Sequence, residues 1–322
     1  MQKKNKKAGE QEMKIHTILV AGRMHKELQE IINQKQLSQT FRFMEEQDVT
    51  IEDLDWADAL LSFGPTNCFE DHSFKWIHSL GAGVDRFLES GNWKKSVMLT
   101  RTVCSFGQRI SEYCLSYMLA ELQHHAQFQH QQKQKQWKVV EPKQLSTQTV
   151  IIYGTGEIGG RLAAVLKSFG VRVIGVSKSG NEKPSFDQVV SISKEKELLK
   201  EADWIISTMP LTHETKSYFD PKWMNVVENA YFINVGRGAT VDENALVEAI
   251  EQKRIRKAYI DVFEHEPLTK ESSWWDHSNI IITPHISAVT TPEEAVECFV
   301  ETLQKVEQGE LPSNLVSIER GY

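Results

Sequence analysis

The residues TVIIYGTGEIGGRLAAVLKSFGVRVIGV, positions 149–176, decide the fold of this chain. They begin with an apolar run rich in β-branched residues, 149–153, which leads into the glycine pattern GxGxxG at 154–159. A helix-compatible stretch follows and ends at Gly170, before a second apolar run at 171–176. Strand, glycine turn, helix and strand in this order make a right-handed βαβ unit with parallel strands. The stretch therefore predicts a parallel α/β sheet.

The glycines in this turn have separate physical roles. Gly154 permits a tight turn, Gly156 lets the backbone approach a pyrophosphate, and Gly159 lets the helix lie close to the strand. The helix N–H groups then face the phosphates. GxGxxG alone is a weak signal in a chain with 18 glycines, and a simple turn is the alternative, but its place between strand and helix makes it specific. We expect dinucleotide contacts from Gly154, Thr155, Gly156, Glu157, Ile158 and Gly159.

The end of the second strand bears on which dinucleotide is bound. NAD-binding units usually carry a carboxylate there, which accepts hydrogen bonds from the adenosine ribose. This chain has Ser177 instead, followed by Lys178 and Ser179. A carboxylate would repel a 2′-phosphate, whereas two hydroxyls and an ammonium can donate to it. The sequence favours NADP(H), with NAD(H) as the second choice; the alternative is a Lys178 that only covers a loop.

Outward from this unit, apolar runs alternate with polar, helix-compatible stretches in both directions. The upstream strands are predicted at 16–20, 57–62, 74–80 and 96–100, and the downstream strands at 204–209, 230–235, 258–262 and 279–283. A long helical pattern from Ser105 through a glutamine-rich stretch marks the passage between domains. The amphipathic segment after Pro284 is expected to pack back on the first domain.

The predicted fold class is therefore α/β, with two doubly wound, Rossmann-like parallel-sheet domains and a cleft between them. We predict a substrate-binding, flavodoxin-like domain from 13–104 plus 291–322, and a dinucleotide-binding Rossmann domain from 105–290. Residues 1–12 are polar, precede a second methionine, and are interpreted as a disordered extension.

Composition excludes several classes of function. The 322 residues carry a formal charge of −7 with scattered cations, which argues against nucleic acid as the main partner. The four cysteines form no CxxC pair, so neither a disulfide framework nor a zinc site is indicated. His124, His125 and His130 lack metal-ligand spacing, and we expect no metal. The absence of an apolar run of ~20 residues or a signal-peptide core predicts a cytoplasmic protein without a membrane partner.

Three titratable or charged residues follow successive late strands. Arg237 comes after the strand predicted at 230–235, Glu266 after the next one, and His285 after the last. Each alone is more often a surface or capping residue. Because open α/β sheets bind ligands outside the carboxyl ends of their strands, we expect the three to share one rim beside the dinucleotide loop.

The chain resembles the D-isomer-specific 2-hydroxyacid dehydrogenases from about Ile18 to its C-terminus. The ending SSWWDHSNIIITPHISAVTTPEEAVE, with the terminal ERGY, looks most like the glyoxylate/hydroxypyruvate reductase branch of this family. The resemblance to the family as a whole lies in specific segments. The segments are SLGAGVD (79–85), YGTGEIG (153–159), MPLTHET (209–215), INVGRGATVDENAL (233–246), IDVFEHEPL (260–268) and TPHIS (283–287).

The resemblance implies roles for individual residues. His285 resembles the acid/base that protonates the substrate carbonyl oxygen, Glu266 the carboxylate paired with it, and Arg237 the residue that binds and polarises the 2-oxo acid. A carboxylate stabilises a protonated imidazole, and a planar guanidinium can bridge two oxygens. The remaining implied contacts are the backbone amides of Ala82 and Gly83 for the substrate carboxylate, and Met209, Pro210, Thr215, Val235 and Asp261 for the cofactor.

The implied activity is NAD(P)H-dependent reduction of a small 2-oxo acid, of the glyoxylate or hydroxypyruvate type, to the D-2-hydroxy acid. The resemblance also implies a homodimer joined through the stretch 112–137, which includes Trp137. Two alternatives stay open: a cofactor-sensing, corepressor-like binding module, because fold alone does not fix function, and a phosphite or formate dehydrogenase of the same family.

Overall fold

The computed structural model describes residues 13–69, 72, 74–89, 93–94 and 96–322. The disordered extension predicted for residues 1–12 lies outside these ranges. The described residues divide into two compact units, the first ending at Cys104 and resuming at Thr290–Tyr322, and the second formed by Ser105–Val289. No helix within the described ranges is both long and apolar enough to span a bilayer.

The first unit contains a parallel sheet that, over its described residues, has five strands in the order β2-β1-β3-β4-β5. Its elements up to Cys104 are β1 (Thr17–Ala21), α1 (His25–Gln34), β2 (Thr40–Met44), α2 (Ile51–Trp56), β3 (Ala59–Ser62), β4 (Trp76–Ser79), α3 (Asp85–Leu88) and β5 (Met98–Arg101). The sequence prediction placed four of these strands and omitted β2. That edge strand, TFRFM, is only partly buried and alternates polar with apolar residues, so its apolar signal is weak.

The second unit contains a parallel sheet that has, in the described chain, seven strands in the order β12-β11-β10-β9-β6-β7-β8. It confirms the predicted doubly wound arrangement. Its elements are α4 (Phe106–Leu122), α5 (His125–Lys133), β6 (Thr149–Tyr153), α6 (Glu157–Ser168), β7 (Arg172–Ser177), β8 (Gln188–Ser191), α7 (Lys196–Leu199), β9 (Trp204–Ser207), α8 (Pro221–Met224), β10 (Ala230–Asn234), α9 (Glu243–Glu251), β11 (Ile255–Ile260) and β12 (Ile280–Ile282).

Two details of the second unit differ from the prediction. The single long helix expected from Ser105 is divided into α4 and α5 at His124, whose φ of 54° is left-handed and ends the helical hydrogen bonding. The short edge strand β8 was not predicted, because QVVS contains only two apolar residues and none of the four is fully buried.

The chain returns to the first unit through α10 (Pro292–Glu307). Val296, Phe299 and Leu303 on this helix are buried in the same apolar cluster as Ile18 and Val20 of β1. The Phe299 ring stacks on Trp76 of β4 with ring centroids 5.4 Å apart. The C-terminal helix α10 therefore packs on the first unit and completes its core.

His78 on β4 is buried in the first unit and makes its hydrogen bonds within the sheet. Its Nδ1 lies 2.8 Å from Thr100 Oγ1, and its Nε2 lies 3.3 Å from Thr102 Oγ1. Burial lowers the pKa of His78 from 6.5 to about 3. The folded protein therefore keeps this imidazole neutral where the unfolded chain protonates it.

We expect acid to weaken the first unit through His78. A histidine with a depressed folded pKa contributes stability above its unfolded pKa of 6.5, and that stability falls as the pH drops towards 3, by about 1.4 kcal/mol per pH unit. Between pH 7.5 and pH 5, the free energy of unfolding of His78→Gln should fall by about 2 kcal/mol less than that of wild type. Urea unfolding at the two pH values measures it. The exposed His16→Gln is the control; an equal pH response in both variants would contradict the prediction.

Candidate active site

The glycine loop lies between β6 and α6 and has the geometry that phosphate binding requires. Gly154 has a φ of +98°, in the left-handed region that favours glycine. A Cβ on Gly159 would lie 1.9 Å from the Gly154 carbonyl oxygen, whereas a Cβ on Gly156 would meet no atom within 4 Å. Gly156 also caps α6 without a side-chain hydrogen bond. The loop therefore presents a helix N-terminus with open space in front of it, which fits a pyrophosphate.

The predicted adenosine contacts lie at the ends of β7 and β9. Ser177 is the last residue of β7, and its Oγ accepts a hydrogen bond from Gly180 N at 3.1 Å. Met209 and Pro210 follow β9, and Thr215 Oγ1 ties their loop together by donating to Pro210 O at 2.7 Å. Because β7 and β9 both flank β6, these segments lie on either side of the glycine loop.

Arg237 lies in a turn after β10 that packs against neighbouring backbone. A Cβ on Gly236 would lie 2.6 Å from Met209 O, and one on Gly238 would lie 1.9 Å from the Phe263 carbonyl carbon. The Arg237 guanidinium donates to Gly236 O at 2.8 Å. The two glycines thus hold the arginine close to the strands on either side of β10.

Glu266 and His285 form a hydrogen-bonded pair. His285 Nδ1 lies 2.8 Å from Glu266 Oε2, and the other carboxylate oxygen accepts the Phe263 N–H at 2.9 Å. Partial burial alone would raise the pKa of Glu266, but the hydrogen bonds and the charges of His285 and Arg237 outweigh it and lower that pKa. The carboxylate is therefore ionised at neutral pH, orients the ring, and leaves Nε2 for a reacting group.

Asp261 fixes the segment that carries His285. Its carboxylate is fully buried and accepts hydrogen bonds from Thr283 Oγ1 at 2.6 Å and from the N–H groups of Ile286 and Ser287 at 2.8 Å each. Its carbonyl oxygen also accepts the His285 N–H at 2.9 Å. His285 itself has a left-handed φ of 53°. Through these bonds Asp261 positions the segment that carries His285, a role that the sequence did not predict. The contact of Asp261 with a cofactor stays a prediction.

In the first unit, the loop after β4 has free backbone donors. Ser79 Oγ shapes this loop by donating to Gly83 O at 3.0 Å and accepting from Gly81 N at 3.3 Å. Within the part of the chain that the structure describes, the N–H groups of Ala82 and Gly83 have no acceptor. Two adjacent free N–H groups suit a carboxylate.

The structure thus brings together Arg237, Glu266 and His285 of the second unit. Val235 follows β10 in the same region, and its N–H donates to Ser207 O at 3.1 Å. Sequence reasoning missed Thr208, whose Oγ1 donates to Tyr153 O at 3.0 Å and to Gly154 O at 3.2 Å. Among the described residues, no group of three or more His, Cys, Asp or Glu side chains is placed to hold a metal ion.

The chain is similar to proteins of a known family. A family model described as D-isomer specific 2-hydroxyacid dehydrogenase, NAD binding domain, matches residues 115–287. Glyoxylate/hydroxypyruvate reductase A of Serratia proteamaculans is 31% identical over 255 residues, covering 77% of this chain and 82% of that protein. The protein of the same name from Yersinia enterocolitica is 33% identical over 258 residues, with the same coverage of 77% and 82%.

Two solved structures are similar over nearly the whole chain. A D-isomer specific 2-hydroxyacid dehydrogenase from Xanthobacter autotrophicus Py2, in complex with NADPH and MES, has a TM-score of 0.87 at 26% identity, covering 96% of this chain and 100% of that one. An NADPH-dependent glyoxylate/hydroxypyruvate reductase from Sinorhizobium meliloti, in complex with NADP and sulfate, has a TM-score of 0.85 at 25% identity, covering 95% and 100%.

Proposed function

Because this chain belongs to the D-isomer specific 2-hydroxyacid dehydrogenase family and is an NAD(P)-dependent oxidoreductase, we propose that it reduces a small 2-oxo acid to the D-2-hydroxy acid. The observation that carries the proposal is the His285–Glu266 hydrogen bond at 2.8 Å, with Arg237 close enough for its charge to lower the pKa of Glu266. The names of the similar reductases support glyoxylate or hydroxypyruvate as the substrate type.

Residues of both units would have separate roles in the proposed reduction. Arg237 binds the 2-oxo acid and draws electron density towards its carbonyl oxygen. His285, protonated on both ring nitrogens, gives its Nε2 proton to that oxygen and keeps the Nδ1 proton directed at Glu266. Ala82 and Gly83 of the first unit, the proposed substrate-binding domain, hold the substrate carboxylate through their N–H groups.

The cofactor fits the glycine loop, because Gly156 leaves open space at the uncapped N-terminus of α6. When bound, the nicotinamide dinucleotide supplies the hydride that adds to C2 of the substrate. We propose NADP(H) as the preferred cofactor and NAD(H) as the second choice. The hydroxyl of Ser177 in place of a carboxylate supports this preference, and so do the NADP(H) complexes of the two similar structures.

We also propose that the chain forms a homodimer, as the sequence predicts. Trp137, at the end of the stretch 112–137, has 99% of its surface exposed, and Phe128 on α5 is 38% exposed. Exposed aromatic side chains are enriched at protein interfaces, which supports a second copy of the chain as the partner.

A matrix of two cofactors against several 2-oxo acids tests the proposed reaction. We expect the purified protein to oxidise NADPH in the presence of glyoxylate or hydroxypyruvate, and to form the D-isomer from hydroxypyruvate. Chiral chromatography of the product gives the configuration. The proposal fails if neither NADPH nor NADH is oxidised with any member of the panel.

Ser177→Asp is expected to lower the ratio of kcat/KM for NADPH to that for NADH by about tenfold or more. The new carboxylate would repel a 2′-phosphate and accept a hydrogen bond from a 2′-hydroxyl. Ser168→Asp, at the other end of α6, adds the same charge at roughly 18 Å from the glycine loop and serves as the control. An unchanged ratio in Ser177→Asp would show that this position does not select the cofactor.

A further inference from the structure

A carboxylate that the sequence did not predict lies beside the adenosine end of the proposed cofactor site. Lys178, directly after β7, has its Nζ 2.7 Å from both carboxylate oxygens of Glu214. Both side chains are exposed, at 73% for Lys178 and 62% for Glu214. Position 177 carries no acidic group, but a carboxylate from the loop that follows β9 thus reaches the residue directly after β7.

The backbone around Glu214 is held in place. Thr215 Oγ1 accepts the Thr212 N–H at 2.8 Å and donates to Pro210 O at 2.7 Å. Thr215 N–H also donates to Thr212 O at 3.1 Å. These bonds fix the turn on which Glu214 stands, so its carboxylate stays within reach of the end of β7.

The groups around Lys178 are otherwise suited to a phosphate. Ser177 Oγ accepts the Gly180 N–H at 3.1 Å, and Ser179 Oγ accepts the Asn181 N–H at 3.3 Å. Each hydroxyl uses a lone pair in these bonds and keeps its own proton to donate. Two hydroxyl donors thus flank Lys178 in the chain, and the Glu214 carboxylate neutralises its ammonium.

We propose that Glu214 is a specificity-determining residue for the cofactor: it accepts a hydrogen bond from a 2′-hydroxyl and competes with a 2′-phosphate for Lys178. This inference rests on the proposed dinucleotide site. An exposed ion pair is weak, so a phosphate with a charge of −1.5 to −2 draws Lys178 away from Glu214. The loss of the ion pair and the repulsion between the displaced carboxylate and the phosphate together reduce affinity by roughly fivefold in solvent-screened surroundings.

Calorimetry with two nucleotides that differ only in the 2′-phosphate tests this inference on the full chain. The nucleotides are adenosine 5′-monophosphate and adenosine 2′,5′-bisphosphate. We expect Glu214→Gln to bind the bisphosphate about fivefold more tightly and the monophosphate no more tightly than wild type does. Lys178→Gln should weaken the bisphosphate, and adding Glu214→Gln to it should restore less than fivefold, because the competed cation is gone.

Glu228→Gln is the matched control. Glu228 pairs with Lys200 at 3.9 Å, is 61% exposed, and precedes β10 at the amino edge of the same sheet. The substitution Glu228→Gln removes the same charge as Glu214→Gln, but we expect it to leave the affinity for both nucleotides nearly unchanged. The inference is overturned if Glu214→Gln affects both nucleotides equally or no more than Glu228→Gln does.

The binding experiment separates this inference from the proposed reaction, because it uses no 2-oxo acid. If wild type binds both nucleotides but reduces no substrate, the proposed function fails and the role of Glu214 can stand. If wild type binds neither nucleotide at millimolar concentration, the role of Glu214 is overturned. In active enzyme, we expect Glu214→Gln to lower KM for NADPH.

Discussion

Replacing His285 with alanine is expected to lower kcat for 2-oxo acid reduction by about 10²- to 10⁴-fold, the usual contribution of a positioned proton donor. The carbonyl oxygen would then have to take its proton from water. The loss of absorbance by the reduced nicotinamide gives the rate. KM for the cofactor should change little, because the glycine loop lies at a different turn of the sheet.

The partner of His285 provides a second arm of this test. Glu266→Gln keeps a hydrogen-bonding group near Nδ1 but removes the charge, so we expect a smaller loss of kcat and a shift of the pH–rate profile to lower pH. The double variant should lose little more than His285→Ala alone, because the two residues act as a unit. His16→Ala, at an exposed position outside the stretch 112–137, is the control. A kcat for His285→Ala within tenfold of wild type would remove His285 from the proposed proton transfer.

Gly159→Ala is expected to destabilise the second unit by about 2–4 kcal/mol and to abolish measurable cofactor binding. The added Cβ would lie 1.9 Å from Gly154 O, so either α6 or the turn at Gly154 must move. Any such movement displaces the helix N-terminus from the phosphates it would hold. Urea unfolding and titration with NADPH, followed by its fluorescence, measure the two effects.

The neighbouring residue supplies the matched control for this prediction. A Cβ on Gly160 would meet no atom within 4 Å, although Gly160 is on the same helix. Gly160→Ala should therefore leave cofactor binding intact and stabilise the protein by up to about 1 kcal/mol through helix propensity. If the two variants behaved alike, close packing of α6 on the glycine turn would not be what Gly159 provides.

The sequence predicted most of the architecture because its signals are local. The run at 149–176 contains a complete βαβ unit, and each central strand is a continuous apolar segment. Edge strands are harder to predict, since β2 and β8 bury little and so need few apolar residues. The division between α4 and α5 depends on the left-handed backbone of His124. The residue type alone does not predict that backbone conformation.

The candidate site was predictable where it depends on chain order. Arg237, Glu266 and His285 each follow a parallel strand, and the carboxyl ends of neighbouring parallel strands meet at one edge. Contacts between side chains distant in sequence were not predictable. Lys178 and Glu214 are far apart in the chain, and their pairing depends on how the loop after β9 turns. The hydrogen bonds that Asp261 accepts from Ile286 and Ser287 likewise depend on the folded course of the segment after β12.

The return of α10 to the first unit has a consequence for biosynthesis. Phe299 and Leu303 belong to the same apolar cluster as β1, yet they are translated after the whole of 105–289. At ~5–20 residues per second, roughly 10 to 40 seconds separate Cys104 from α10 on the ribosome. During that interval the nascent first unit exposes the surface that α10 will cover, while the continuous second unit can fold. The segment made first is therefore the last to finish folding, and it is the one that needs protection from aggregation as the chain emerges.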